Sequence, residues 1–148
     1  MKAAIDTNIL VYAEGFGDDR RVKAATRLID RLRKSDTELS VQVCAELLSA
    51  LVRKFRCPAA EAFSRLEAWR GLFGTHALTT DGFDAALVLV RDHRFQMFDA
   101  MILSSAAGSG CKALLSEDMH SGFKWRGVTI VNPFSEVPDP ILGALTRA

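Results

Sequence analysis

Four carboxylates, Asp6, Glu46, Asp99 and Asp118, stand at comparable turning points of the chain. Asp6 and Asp118 come as short apolar runs end, Ala3-Ala4-Ile5 and Ala113-Leu114-Leu115, in the way a buried parallel strand delivers a polar group to its C-terminal end. Asp99 opens an apolar stretch, and Glu46 falls in the first turns of the helix that follows the second strand. Taken singly, Asp6, Asp99 and Asp118 read better as helix caps, a role that Asp fills well. Glu46, beside Gln42, Ser49 and Arg53 on the side away from the apolar stripe, reads singly as a solvated glutamate. Taken together they read differently. In a parallel α/β sheet, strand C-termini and helix N-termini meet along one edge, so four acids there converge on one cleft. Converging carboxylates resist ionising together unless a cation compensates them. Hard oxygen ligands without thiolate or imidazole suit Mg²⁺ or Mn²⁺ rather than zinc. Thr7, Asn8, Ser116 and Glu117 are polar neighbours that can hold the ligands or their waters.

No other constellation competes. His76, His93 and His120 are dispersed, no nucleophile motif precedes any of them, and the glycines form neither GxGxxG nor a Walker loop. The chemistry best supported is a metal-activated water attacking a phosphoester.

Strands alternating with helices must position these acids. Strands are expected near 3–5, 38–41, 76–78, 112–115 and 128–131. Between them, helices are expected over 9–14, 20–34, 42–55, 58–72, 80–92 and 98–107, with Pro58 suited to a first turn. That order predicts a three-layer α/β/α fold on a mostly parallel sheet of about five strands with right-handed crossovers. Residues 1–134 form the expected domain, and 135–148, broken by Pro138 and Pro140, a tail that docks as one helical turn over 141–145.

At 148 residues the chain suits one domain with a proper core. Its net charge of +1 excludes a strongly basic nucleic-acid coat but not a local basic face. Cys44, Cys57 and Cys111 are odd in number and lack metal-type spacing, which points to reduced thiols and a cytoplasmic location. No apolar run approaches the length of a membrane span, and residues 1–2 lead straight into a strand rather than a signal peptide.

Five segments in order resemble the PIN domain, specifically the VapC-type ribonuclease toxins of toxin–antitoxin pairs. They are Ile5-Asp6-Thr7-Asn8-Ile9-Leu10, Ser40-Val41-Gln42-Val43-Cys44-Ala45-Glu46-Leu47, Phe98-Asp99-Ala100-Met101-Ile102-Leu103, Leu115-Ser116-Glu117-Asp118-Met119 and the closing Val128-Thr129-Ile130-Val131-Asn132-Pro133-Phe134. The resemblance spans residues 2–134 and implies an acidic cleft holding Mg²⁺ or Mn²⁺, endonucleolytic cleavage of RNA, inhibition by a cognate antitoxin protein, and a homodimer. It implies that Asp6 and Asp99 bind metal directly, while Glu46 and Asp118 complete the cleft by binding a second ion or orienting water. Met97-Phe98 departs from the family, which often has an aromatic followed by Trp there, but stays apolar.

RNA must also be held, and the stripe Arg20, Lys23, Arg27, Arg31 and Lys34, with Arg53, Lys54 and Arg56, is available for phosphate contacts. A solvated helix face explains most of these equally well. Two other readings stand beside the nuclease. A haloacid-dehalogenase-type phosphatase needs Asp-x-Asp after the first strand, and here the second position is Asn8. A metal-free PIN-like module that only binds RNA or protein would have no use for all four acids.

Overall fold

The computed structural model describes residues 1–147. The chain runs β1 (Lys2–Ile5), α1 (Thr7–Ala13), α2 (Asp19–Leu32), β2 (Asp36–Ser40), α3 (Val41–Ser49), α4 (Ala59–Leu72), β3 (Gly74–His76), α5 (Thr80–His93), α6 (Met97–Gly108), β4 (Ala113–Leu115), β5 (Lys124–Trp125), β6 (Val128–Val131) and α7 (Pro140–Thr146). The strands form one sheet in the order β3-β2-β1-β4-β6-β5, parallel except for β5. Ala3, Ala4 and Ile5 of β1 and all three residues of β4 are buried in succession. Strands buried on both sides need helices on both faces, as in the expected three-layer arrangement.

The topology fixes where a site can form. From the central β1 the chain moves outward to β2 and β3, then returns to the far side of β1 to lay down β4. The C-terminal edge between β1 and β4 is therefore the switch point of the sheet, where open α/β folds keep their ligand crevice. Asp6 follows β1 there, and Ser116 to Asp118 follow β4.

Local chemistry accounts for the helix starts. Asp6, Asp18, Ser40, Thr79 and Asp139 each turn a side-chain oxygen onto a backbone N–H of the helix that follows. α6 seats Ile102, Leu103 and Ala106 in the core and touches β2, β4, β5 and β6. On another flank, Glu14 at the end of α1 accepts from Trp69 Nε1 at 2.7 Å and pairs with Arg65 at 3.1 Å, which ties α4 to α1.

Four expectations need correction. A sixth strand, β5, pairs antiparallel with β6 through a two-residue turn, Arg126-Gly127, in which both residues have positive φ. The third strand lies at Gly74–His76 rather than 76–78, because Gly74, Thr75 and His76, as the edge strand, are the residues that pair with Glu38, Leu39 and Ser40 of β2. The helix expected over 42–55 stops being α-helical at Ser49 and continues as a π turn over Ala50–Lys54, in which Leu51 is buried. The tail makes a longer helix than expected, Pro140–Thr146, which packs on α2 and buries Leu145.

Candidate active site

Asp6 is both a cap and something more. Its Oδ1 accepts the Thr7 N–H at 2.8 Å, while Oδ2 accepts the Ser116 hydroxyl at 2.7 Å. Ser116 is fully buried and also accepts the Met119 N–H, so the turn after β4 is clamped to the turn after β1. The Asp6 N–H donates to Leu115 O at 2.9 Å and extends the β1–β4 pairing to the lip of the cleft. With 6 % of its surface exposed, Asp6 is held in an environment hostile to charge. Burial raises its carboxyl to about 6, the nearby Asp99 and Glu46 push the same way, and the Ser116 and Thr7 bonds oppose them.

Glu46 is not the solvated side chain of the residue-by-residue reading. It is half-buried, and the Thr7 hydroxyl donates to its Oε2 at 2.7 Å. Asp99 caps nothing, because Gln96 holds the N-cap position of α6 and Asp99 lies inside the first turn. Burial raises its carboxyl, with Glu46 and Asp118 adding to the effect and His120 opposing it. Asp118 is exposed in the loop between β4 and β5, opens no helix, and accepts from the Asn8 amide. The cap readings of Asp99 and Asp118 therefore fail on geometry, and that of Asp6 describes only one of its two oxygens.

Asp99 and Glu46 lie close enough to act on Asp6, and Glu46 and Asp118 on Asp99, and none of the four is ion-paired to Lys or Arg among the described residues. Nor, among the described residues, does any group of three or more His, Cys, Asp or Glu side chains close around one point as a finished ligand shell. The donor set is oxygen only, four carboxylates with Thr7, Ser116 and Asn8 holding three of them. That chemistry fits a hard divalent cation, and a buried carboxyl raised to about 6 is one that a cation would relieve.

Sequence reasoning missed the flank of this cleft. Glu117 accepts from the Tyr12 hydroxyl at 3.0 Å and from Arg21 Nε at 2.8 Å, and Arg21 also pairs with Asp18. These partners are about a hundred residues apart in the chain, so no local signal marks them. Of the basic stripe, Arg20 lines a cavity beside Glu117, whereas Lys23 and Arg27 line a separate shallow depression with Val22 and Thr26. Arg31 is exposed in the last turn of α2.

Similar folds are known. The chain superposes on the Mycobacterium tuberculosis toxin VapC20, a Sarcin-Ricin loop cleaving toxin, with a TM-score of 0.65 at 21% identity, covering 78% of this chain and 89% of that one. A toxin–antitoxin complex from Klebsiella pneumoniae gives 0.66 at 19%, covering 89% and 98%. VapBC-1 from nontypeable Haemophilus influenzae gives 0.59 at 16%, covering 80% and 87%. At these identities the likeness is one of fold. No curated protein matches the sequence. The PIN domain model matches residues 3–123, most of the chain. The protein belongs to the PIN domain family.

Proposed function

We propose that this protein is a metal-dependent endoribonuclease of the VapC type, the toxin of a toxin–antitoxin pair. The observation that carries the reading is the gathering of Asp6, Glu46, Asp99 and Asp118 at the sheet's switch point without a paired Lys or Arg among the described residues. A scissile phosphate would be repelled by these acids alone, so the cleft serves a phosphodiester only with a cation between them.

Asp6 and Asp99 are the residues assigned to hold Mg²⁺ or Mn²⁺. Glu46, steadied by Thr7, and Asp118, steadied by Asn8, complete the site by holding a second ion or orienting the attacking water. A bound ion would supply Lewis-acid activation and lower the pKa of a water molecule. Ser116 orients Asp6 through the hydroxyl bond and keeps one oxygen from turning away. The match to the PIN family and the toxin–antitoxin complexes among the similar folds support an RNA substrate and a separate antitoxin protein. The exposed apolar side chains of Phe63, Phe83 and Leu87 are available to a second copy or to the antitoxin. No helix among the described residues is long and apolar enough to cross a membrane, in keeping with the proposed cytoplasmic site of action.

Asp99→Asn tests the assignment of roles. It is expected to lose Mn²⁺ binding by titration calorimetry and at least 10²-fold in RNA cleavage while keeping its circular dichroism spectrum, because one ligand charge is gone and the helix cap is elsewhere. Unchanged cleavage by a folded Asp99→Asn protein would remove Asp99 from the site.

A further inference from the structure

Next to the acidic cleft lies a cavity of about 370 Å³ whose walls include Arg20, Ala24, Asn132, Pro133, Phe134 and Ser135. Glu117, the residue between Ser116 and Asp118, also lines it, which sets the cavity beside the cleft. The size suits one nucleoside rather than a water or an ion.

The hydrogen-bonding character of the cavity follows from which groups are already engaged. Glu117 Oε1 accepts from Tyr12 at 3.0 Å and from Arg21 at 3.1 Å, and Oε2 accepts from Arg21 at 2.8 Å. Asn132 Oδ1 accepts the Phe134 N–H at 2.9 Å, which leaves the amide NH₂ as its available half. Arg21 is held by Asp18 and Glu117, while Arg20 beside it enters no ion pair among the described residues. The side-chain acceptors of Glu117 and Asn132 are thus largely consumed, and a guanidinium and an amide NH₂ remain as donors, with the Ser135 hydroxyl able to donate as well. Phe134, packed edge-on against Tyr12 at 5.9 Å between ring centroids, and Pro133 give an apolar wall on which a base can rest.

A donor-rich pocket with an apolar wall selects bases that present carbonyl acceptors. Guanine offers O6 and N7 and uracil offers O4, whereas adenine and cytosine turn an amino donor to the same position. We propose that this cavity is a nucleobase subsite for a keto base, guanine or uracil, at a fixed position beside the scissile phosphate. This rests on the ribonuclease reading above and adds to it the residues that choose where the RNA is cut: Asn132 and Arg20.

The test uses fluorescently labelled RNA hexamers bound to the wild-type protein in Ca²⁺, a hard cation that suits the oxygen ligands but is a weaker Lewis acid than Mg²⁺, so that binding is read without cleavage and with the metal site intact. The probes are hexa-adenylate, hexa-cytidylate, hexa-uridylate and hexa-adenylate carrying one guanine. The uridine and guanine probes are expected to bind about tenfold tighter than the other two, the scale of one good base contact. Asn132→Asp keeps the oxygen that accepts from Phe134, so its Tm should hold, but it loses the NH₂ and should erase the ratio between probes. Its carboxylate repels the carbonyls of guanine and uracil and accepts from the amino groups of adenine and cytosine, so the ratio should vanish or invert. Equal binding of all four probes, no binding of any, or an unchanged ratio in Asn132→Asp overturns the subsite. Wild-type cleavage of the same hexamers in Mn²⁺ is scored separately. Cleavage without base preference leaves the nuclease and removes the subsite; base preference without cleavage does the reverse.

Discussion

Asp6→Asn is expected to be more stable than the wild type in EDTA at pH 7.5, by on the order of 2–3 kcal/mol, or roughly 5–10 °C in Tm. Burial, aided by Asp99 and Glu46, lifts the Asp6 carboxyl from 3.8 in an ordinary environment to about 6. In the unfolded chain the group loses its proton near 4, and in the folded protein it keeps it until about 6. Between those values the folded state binds more protons than the unfolded one, so this group's contribution to stability falls as pH rises through the window and is at its least favourable above it. Asn carries no charge to desolvate. Its Oδ1 can still accept from Thr7, although the Ser116 hydroxyl loses a charged acceptor, which trims the gain. Thermal melts at pH 7.5 and pH 4 check the sign, and the difference should shrink at the lower pH. Mn²⁺ should raise the Tm of the wild type and leave the variant nearly unmoved, since only the state that binds the ion is stabilised. A lower Tm for Asp6→Asn at pH 7.5 would mean that the carboxylate serves the fold rather than the site.

The second large effect concerns what supports Asp99. Leu103 lies one helical turn after Asp99 on the same side of α6 and is fully buried between that helix and the sheet. Leu103→Ala removes three buried carbon atoms beneath the carboxylate-bearing turn. A loss of about 3–4 kcal/mol is expected, or roughly 10 °C in Tm, with an unchanged denaturant slope. Because the helix start can shift into the space created, the folded fraction should also cleave more slowly, by several-fold rather than by the larger factor expected of Asp99→Asn. Urea unfolding measures the first quantity and initial rates in 1 M or less of urea the second. A destabilisation below about 1 kcal/mol would mean that α6 is not seated through this residue.

These two sites differ in how far the chain alone announces them. Asp6 directly after Ile5 and Asp118 three residues after Leu115 are legible as a pair, because the alternation of strands and helices sets both at one sheet edge although each alone reads as a cap. The sheet's parallel core was legible for the same reason. Glu46 is legible only in company with the other acids and through the resemblance, because a polar face on an amphipathic helix looks the same whether it meets solvent or a cleft. Only the fold brings Thr7 to it across 39 residues of sequence. β5 is two residues long and held by pairing to β6, and so short a strand has no periodicity to detect. The π turn at Ala50–Lys54 is hidden inside a continuous apolar stripe, since one extra residue per turn leaves composition untouched. Asn132 simply follows the last strand in the sequence, and its place in a cavity wall depends on Arg20 and Glu117, both distant in sequence.

The central claim is that the four acids form a metal-dependent site for RNA cleavage. Its most direct measurement is the incubation of purified wild type and Asp6→Asn, each free of antitoxin, with total RNA in Mg²⁺, Mn²⁺ or EDTA. The wild type is expected to yield discrete fragments with either metal and none in EDTA, and Asp6→Asn to yield none in any condition. Cleavage by the wild type that persists in EDTA, or cleavage by Asp6→Asn at the wild-type rate, would contradict it.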